Sequence, residues 1–243
     1  KGFGTEQIQE EISSLLPDVK VSRMDLDTTR GKHGHEKIIT AFENNEIDIL
    51  VGTQMLTKGL DFRNVGLVGI MNADNLLNFP DFRAHERSFQ LMHQVAGRAG
   101  RTSNQGKVLI QTYNPFHKIL QQVSMNDYEA MFHEQFIERQ NYKYPPVYRI
   151  IKITIKHKDY QKVNLGAEWL ATSLRQLFNP YVLGPEFPPV SRIRNQYHKN
   201  ILLKIPEKQS LNKTKEAILK IKNSFLSIKS FRPIRVLINV DNY

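Results

Sequence analysis

Residues 47–62, with the sequence IDILVGTQMLTKGLDF, decide the fold of the first half of the chain. They begin with a short apolar run at 47–51, typical of a strand buried in a parallel sheet, and continue into a polar loop. A second such run lies at 65–71, and strands are also predicted at 19–24 and 107–112. Apolar residues at helical spacing lie before the first of these strands, over 8–16, and between later strands, over 38–42 and 84–96. Strands that alternate with helices predict an α/β unit built on a parallel sheet.

Two polar positions in this half predict local structure. Thr5 precedes the first helix and is predicted to cap it, because a threonine hydroxyl can accept a hydrogen bond from a backbone N–H of the first turn. The segment Asp27-Thr28-Thr29 predicts a turn, because aspartate and threonine favour turns. A metal-binding pair of Asp25 and Asp27 is the alternative, and the turn explains the same residues more simply.

The second half has a different pattern. Residues 116–141 show helical spacing and end before the proline pair Pro145-Pro146, which breaks a helix. Beyond it the strands and helices follow in the order β-α-β-β-α-β, with strands predicted at 150–155, 181–184, 200–205 and 234–240 and helices at 163–178 and 211–228. This order predicts a small α+β domain of the ferredoxin-like, split βαβ type. We therefore predict an α/β domain at 1–115, a helical connector at 116–146 and an α+β domain at 147–243.

Charge divides the chain at the same place. Residues 147–243 hold 18 Lys and Arg against 6 Asp and Glu, a net charge of +12, whereas residues 1–146 have a net charge of −2, so the whole chain has +10. A solvated lysine-rich surface and an electrostatic footprint for a phosphate backbone both explain such a step.

Composition excludes several classes of protein. The 243 residues are 40% hydrophobic and 24% charged, which is typical of a globular protein with a buried core. No cysteine is present, so a disulfide scaffold, a thiolate metal site and a cysteine nucleophile are excluded. No run of eighteen apolar residues occurs, so no transmembrane helix is predicted. Because the chain begins Lys1-Gly2 without a methionine, we expect it to be a piece of a longer protein.

A second stretch, residues 94–101 with the sequence QVAGRAGR, ends the predicted helix at 84–96. Together with the loop after residue 51, it resembles motifs V and VI of the second RecA-like lobe of superfamily 2 helicases. Three further segments are specific to a smaller group within this superfamily: GTQM at 52–55, NAD at 72–74 and PDFR at 80–83. With these segments the chain resembles the PriA family (primosomal protein N′) of replication-restart helicases, over nearly its whole length. The resemblance implies a RecA-like lobe 2 followed by the family's C-terminal domain.

The resemblance also implies roles for individual residues. The motif VI arginines, Arg98 and Arg101, correspond to arginine fingers that reach the ATP phosphates, a role worth roughly 10³–10⁵ in rate. ATP contacts are implied for the residues Gly59, Asp61 and Gln94. Contacts with the DNA backbone are implied for Thr53, Gln54 and Lys58.

The function implied is that of the C-terminal part of an ATP-dependent 3′-to-5′ DNA helicase, which recognises stalled or forked DNA and starts primosome assembly for replication restart. The implied cofactors are ATP and Mg²⁺, in a site completed by a first lobe, and zinc, whose cysteine ligands this chain lacks. The implied partners are forked and single-stranded DNA, single-stranded-DNA-binding protein, and primosome and helicase-loading proteins. A monomer in the bacterial cytoplasm, associated with the nucleoid and not with a membrane, is expected.

Half of an ATP site is missing from these residues. The chain contains no Gly-x-x-x-x-Gly-Lys-Ser/Thr motif, and the segment 72–74 lacks the carboxylate pair that would hold Mg²⁺. The fragment alone is therefore predicted to be inactive as an enzyme.

In the basic domain, residues 192–199 are predicted to connect the two middle strands. Arg192, Arg194 and Lys199 would contact phosphates, and Tyr197 would stack on a base. An ordinary hairpin with protective edge charges is the alternative. At the level of the whole chain, two alternatives to the restart helicase stay open: lobe 2 of another superfamily 2 fork-remodelling helicase, and a non-catalytic DNA-binding adaptor.

Overall fold

The computed structural model of the chain describes residues 4–25, 27–29, 34–53, 65–97, 99 and 106–241. These residues form two compact units, 1–133 and 134–243. The predicted connector, 116–146, is divided between them, because the unit boundary lies inside a helix that covers its second half. No helix among the described residues has the length and apolar character needed to span a bilayer.

The first unit alternates helices and short strands. Its elements are α1 (Thr5–Leu15), β1 (Val21–Met24), α2 (Gly34–Glu43), β2 (Ile49–Gly52), β3 (Leu67–Ile70), α3 (Asp74–Leu77), α4 (Ala84–Ala96), β4 (Lys107–Ile110), α5 (Lys118–Met125) and the start of α6 (Tyr128–Asn141). Strands β1 and β2 pair in parallel, and so do β3 and β4, as the alternating pattern predicts. Within the described residues these remain two separate pairs, not one continuous sheet.

The core of this unit follows the same division. Met24 is fully buried beside β2 and packs against apolar residues of α2. A larger cluster joins α3, α4 and α5 through Leu77, Phe89, Met92 and Leu120. Helix α5 therefore packs as part of the first unit, because its apolar face completes the core that α4 begins.

A turn follows β1 at 27–29, as predicted, but Asp25 rather than Asp27 bonds its backbone, and Thr5 does not cap its helix. Asp25 Oδ1 accepts hydrogen bonds from the backbone N–H groups of Asp27 and Thr28, both at 3.0 Å. The cap position of α1 is Gly4, and the Thr5 hydroxyl instead donates to Asp25 Oδ2 at 2.7 Å. Arg23 Nε lies 3.1 Å from the same oxygen. The hydroxyl of Thr5, the turn amides and the Arg23 charge together lower the pKa of Asp25 from 3.8 to about 2.

We expect Asp25→Asn to destabilise the first unit by about 2 kcal/mol at pH 7, because the variant loses the charge that these contacts stabilise. Since the folded-state pKa is lowered, this contribution is present above pH 3.8 and is lost as the pH falls through about 2. The effect is measured by amide hydrogen exchange of β1 and β2. Tryptophan fluorescence would not report on this unit, because the only tryptophan, Trp169, lies in the other unit. Asp18→Asn, at an exposed position, is the control. Equal protection in both variants would contradict the expectation.

The second unit is an antiparallel sheet with two helices. Its elements are the end of α6, β5 (Tyr148–His157), α7 (Tyr160–Phe178), β6 (Val182–Glu186), β7 (Arg192–Ile193), β8 (Gln196–Pro206), α8 (Leu211–Ser227) and β9 (Arg235–Val240). The predicted β-α-β-β-α-β order is present, with the two-residue β7 added. The sheet order is β6-β8-β5-β9, and β7 pairs with the first residues of β8.

One face of this sheet forms the core. Alternate residues of β5 and β8, among them Ile153 and Leu203, are buried against α7 and α8. Gly166 permits the close approach of α7, because a Cβ at this position would lie 2.8 Å from Ile234 Cδ1 and 3.1 Å from Phe225 Cζ. Gly184 is required for a different reason from Gly166: its φ is +86°, a backbone conformation that residues with a side chain disfavour.

Candidate functional site

The predicted motif V segment begins at the carboxyl end of a parallel strand pair. Met24 of β1 is paired with Gly52 of β2, so Asp25 and Thr53 follow the two strands at one edge of the sheet. Ligands of open α/β sheets bind beyond this edge. Thr53 is exposed there. The other predicted residues of this motif, Gln54, Lys58, Gly59 and Asp61, lie outside the described residues.

The predicted motif VI segment begins in the last turn of α4. This helix buries Ala84, Ser88, Phe89 and Met92 on one face and leaves Gln94 exposed on another. Gly97 ends the helix with a backbone N–H that donates to the His93 carbonyl at 3.0 Å. Arg98 and Arg101 lie outside the described residues, so Gln94 is the predicted ATP contact whose position is known.

Asp74 follows β3, and its carboxylate forms hydrogen bonds within the first unit. Its carboxylate accepts hydrogen bonds from the Thr112 hydroxyl and the Tyr113 backbone N–H, each at 3.0 Å. These bonds tie the loop after β4 to the start of α3, and both carboxylate oxygens take part. Across the described part of the chain, no group of three or more His, Asp or Glu side chains is arranged to hold a metal ion.

The predicted 192–199 connection is a tight hairpin, and most of it is strand. Arg194 and Asn195 have positive φ values of 49° and 60°, which a two-residue turn of the I′ type requires at both central positions. The turn returns the chain directly into β8, whose pairing with β5 extends to Tyr197 opposite His157. The middle strand therefore begins at Gln196, not at residue 200.

The hairpin brings only part of the predicted DNA-binding set into solvent. Arg192 and Arg194 are exposed. The Arg192 guanidinium donates to Asn195 Oδ1 and lies over the Tyr197 ring, 5.2 Å from its centroid. Tyr197 is half-buried, with Tyr160 against it edge-on at 5.4 Å. Its ring is therefore in contact with protein on two sides.

Lys199 lies apart from the two arginines. It is 8% exposed, and its Nζ donates to Asn164 Oδ1 at 2.9 Å and to Glu168 Oε1 at 3.3 Å, both on α7. The Phe187 ring centroid lies 5.2 Å away. The charge of Lys199 is thus paired inside the unit, because position 199 faces the helices.

Comparison with known proteins identifies both halves of the chain. Residues 4–103 match the family model "Helicase conserved C-terminal domain", and residues 140–243 match "Primosomal protein N C-terminal domain". The chain is 41% identical over 220 residues to the replication restart protein PriA of Bacillus subtilis, which covers 90% of the chain and 27% of that relative. It is 36% identical to PriA of Synechocystis over 99% of the chain and 28% of the relative. For PriA of Haemophilus influenzae the identity is 36%, over 99% of the chain and 32% of the relative.

The chain thus spans about 30% of the length of these relatives. The two family models match consecutive parts of it, and relatives with a single name align over nearly all of it. By these matches the chain belongs to the PriA family of replication restart proteins.

Proposed function

We propose that this chain is the C-terminal part of an ATP-dependent DNA helicase that moves 3′ to 5′, recognises stalled or forked DNA and starts primosome assembly for replication restart. The observation that carries the proposal is the presence, on one chain, of a helicase C-terminal match followed by a primosomal protein N C-terminal match. The first unit would act on ATP and on the DNA backbone, and the basic second unit would hold DNA.

The ATP chemistry proposed for the first unit consists of positioning and charge neutralisation. Gln94, exposed at the end of α4, would lie near the γ-phosphate. Gly59 and Asp61 would contact the nucleotide, and Arg98 and Arg101 would neutralise charge that develops on the phosphates. Magnesium does not fit the described residues, because the carboxylate of Asp74 is already bonded to Thr112 and Tyr113.

The proposed partners follow from the same assignment. They are forked and single-stranded DNA, single-stranded-DNA-binding protein, and the primosome and helicase-loading proteins. The complete protein would act as a monomer in the bacterial cytoplasm, at the nucleoid. The test is fork unwinding by the complete protein with ATP, on forks that carry a single-stranded arm of either polarity. Unwinding that requires ATP and a 3′-to-5′ track is expected. DNA binding without ATP hydrolysis would instead identify a non-catalytic adaptor.

We expect the double variant Arg192→Glu/Arg194→Glu to bind DNA more weakly and with a flatter salt dependence. Each phosphate contact that is lost removes about 0.9 from the slope of log affinity against log salt on duplex DNA, so two contacts remove about 1.8. Fluorescence anisotropy at two or more salt concentrations measures both quantities.

The control for this variant is Lys213→Glu/Lys220→Glu, which makes the same charge change on α8. Both lysines are exposed. If the DNA-binding surface lies on α8 instead, the control variant loses its affinity for DNA and the hairpin variant keeps it. That result would contradict the prediction.

A further inference from the structure

Helices α7 and α8 cover one face of the second unit's sheet, and the residues they cover, among those described, leave the opposite face to other groups. Helices α7 and α8 pack on the face that carries Ile151, Ile153 and Ile155 of β5. Side chains alternate along a strand, so the residues between these isoleucines and beyond them, Lys152, Thr154 and Lys156, lie on the opposite face. At the Tyr148 end, that face is closed where the Tyr144 ring lies 3.6 Å from Lys204 Nζ.

Three cationic or titratable side chains lie side by side at the other end of this open face. Lys156 of β5 is paired with His198 of β8 on one side and with Arg235 of β9 on the other. Directly paired residues share a face, and neighbouring strands are about 4.8 Å apart, so the three positions span about 10 Å. We call Arg235, Lys156 and His198 the basic row.

The basic row is unfavourable for the isolated unit. Like charges directly opposite each other on paired strands destabilise a sheet. Neither Lys156 nor Arg235 makes an ion pair with any of the described residues. Glu186 of β6, opposite Asn200 in the adjacent row, is the acidic side chain that the register places on this face near the basic row. Burial, and then the charge of Lys156, lower the pKa of His198.

An anionic ligand would offset this repulsion, and the face suits a nucleic-acid backbone. Asn200, in the row next to the cations, is a hydrogen-bonding group of the kind that contacts sugar and phosphate, whereas Thr154 beside it is buried and its hydroxyl donates to Asn200 Oδ1 at 2.9 Å. Among the described residues of this end of the face the register places no Phe, Tyr or Trp on which an unpaired base could stack, and the imidazole of His198 is half-buried. Cations without a stacking platform favour duplex DNA, which presents one phosphate per 3.4 Å of each strand.

We infer that the basic row binds the phosphate backbone of duplex DNA, as a contact surface on the open sheet face in addition to the hairpin arginines. The inference rests on the proposed DNA-binding function of this unit and names the surface that performs it. His198 follows Tyr197 directly in β8, so their side chains lie on opposite faces of the sheet, and Arg192, which pairs with Tyr197, lies on the face that packs against the helices. The basic row is therefore a second surface across three strands, on the sheet face opposite Arg192.

The test compares two double variants of the whole 243-residue chain for binding to a blunt duplex by fluorescence anisotropy. Lys156→Glu/Arg235→Glu is expected to weaken duplex binding by about tenfold or more and to lower the log–log salt slope by about 1.8. Lys213→Glu/Lys220→Glu makes the same charge change on α8 and is expected to keep the wild-type slope. Binding to a single strand of equal length should fall less than duplex binding in the row variant.

A single variant separates loss of binding from loss of folding. Arg235→Glu places opposite charges on directly paired positions of β5 and β9, so the melting temperature of the second unit should rise while duplex affinity falls. Opposite changes in stability and affinity are what a binding surface predicts, and a folding defect would move both downward.

The imidazole of His198 reports on the site directly. A bound phosphate favours the charged imidazole, so adding duplex should raise the pKa of His198 in an NMR titration, with the signal assigned from His198→Gln. Lys156, Arg235 and Glu186 are the charged groups that the register places near it on the same face. An unchanged His198 titration on saturation with duplex would overturn the inference.

The other outcomes are also decisive. If the row variant binds duplex like the wild-type chain while the hairpin variant does not, the inference is wrong and the proposed function stands. An equal loss in the α8 control would show that net charge alone governs binding, which also overturns the inference. If the wild-type chain binds no DNA at all, the proposed function of this unit fails first and the inference fails with it.

Discussion

Arg101→Ala, made in the complete protein of which we propose this chain to be the C-terminal part, is expected to lower DNA-stimulated ATP turnover by about 10³–10⁵-fold. The reason is that an arginine finger acts on the charge that develops in the transition state, and the guanidinium cannot lose its own charge. A group that acts mainly in the transition state lowers kcat with little effect on ground-state binding. The affinity for DNA should therefore stay close to that of the wild type.

The measurement is kcat and KM for ATP with saturating DNA, together with DNA affinity without nucleotide. Arg98→Ala is expected to behave in the same way, since both arginines belong to the QVAGRAGR segment. Lys107→Ala is the matched control, because Lys107 is an exposed cation at the start of β4. Wild-type turnover in both arginine variants, with folding intact, would show that this segment has no catalytic role here.

The second unit could be predicted closely from its sequence, because its strands and helices have clear periodicities. The helix predicted at 211–228 is α8, at Leu211–Ser227, and the strand predicted at 234–240 is β9, at Arg235–Val240. The start of β8 was the main error. Residues 192–199 have the basic and aromatic composition of a loop, but the pairing of Tyr197 and Lys199 with β5 outweighs this local preference. The hairpin closes earlier than predicted, at Arg194 and Asn195, whose φ values are positive.

The first unit shows a different limit of prediction. The spacing of apolar residues identifies β1 and β2 as strands but contains no information about which strands pair, and the described residues form two pairs where one sheet was expected. The four-residue helix α3 was not predicted, since so short an element has no periodicity. Thr5 was assigned to its own helix, whereas its hydroxyl bonds Asp25, twenty residues away.

Charge counting also has a limit that the second unit makes clear. The net-charge sum includes Lys199 as a cation available to a ligand, but in the folded unit its charge is paired with Glu168 on α7. In contrast, Lys156, His198 and Arg235 are far apart in the chain, and only the strand register places them side by side. The net charge predicts that a surface of this kind exists, and the fold determines where it lies.

The 243-residue chain on its own is expected to hydrolyse ATP at no measurable rate, with or without DNA. Phosphoryl transfer depends on a cradle of backbone amides, a phosphate-binding lysine and a metal held by carboxylates, and arginine fingers act only on phosphates that are already positioned. The sequence contains no Gly-x-x-x-x-Gly-Lys-Ser/Thr motif to supply the first two. Asp74, the carboxylate that follows β3, is bonded to Thr112 and Tyr113.

Phosphate release and the binding of a fluorescent ATP analogue, each with single-stranded and forked DNA, measure this expectation. The Arg101→Ala version of the same chain is the control, because a contaminating ATPase would be unaffected by the substitution. Turnover that DNA stimulates and that Arg101→Ala abolishes would contradict the prediction. It would mean that residues 1–243 assemble a complete phosphate site by a route other than the two-lobe arrangement that we propose for this family member.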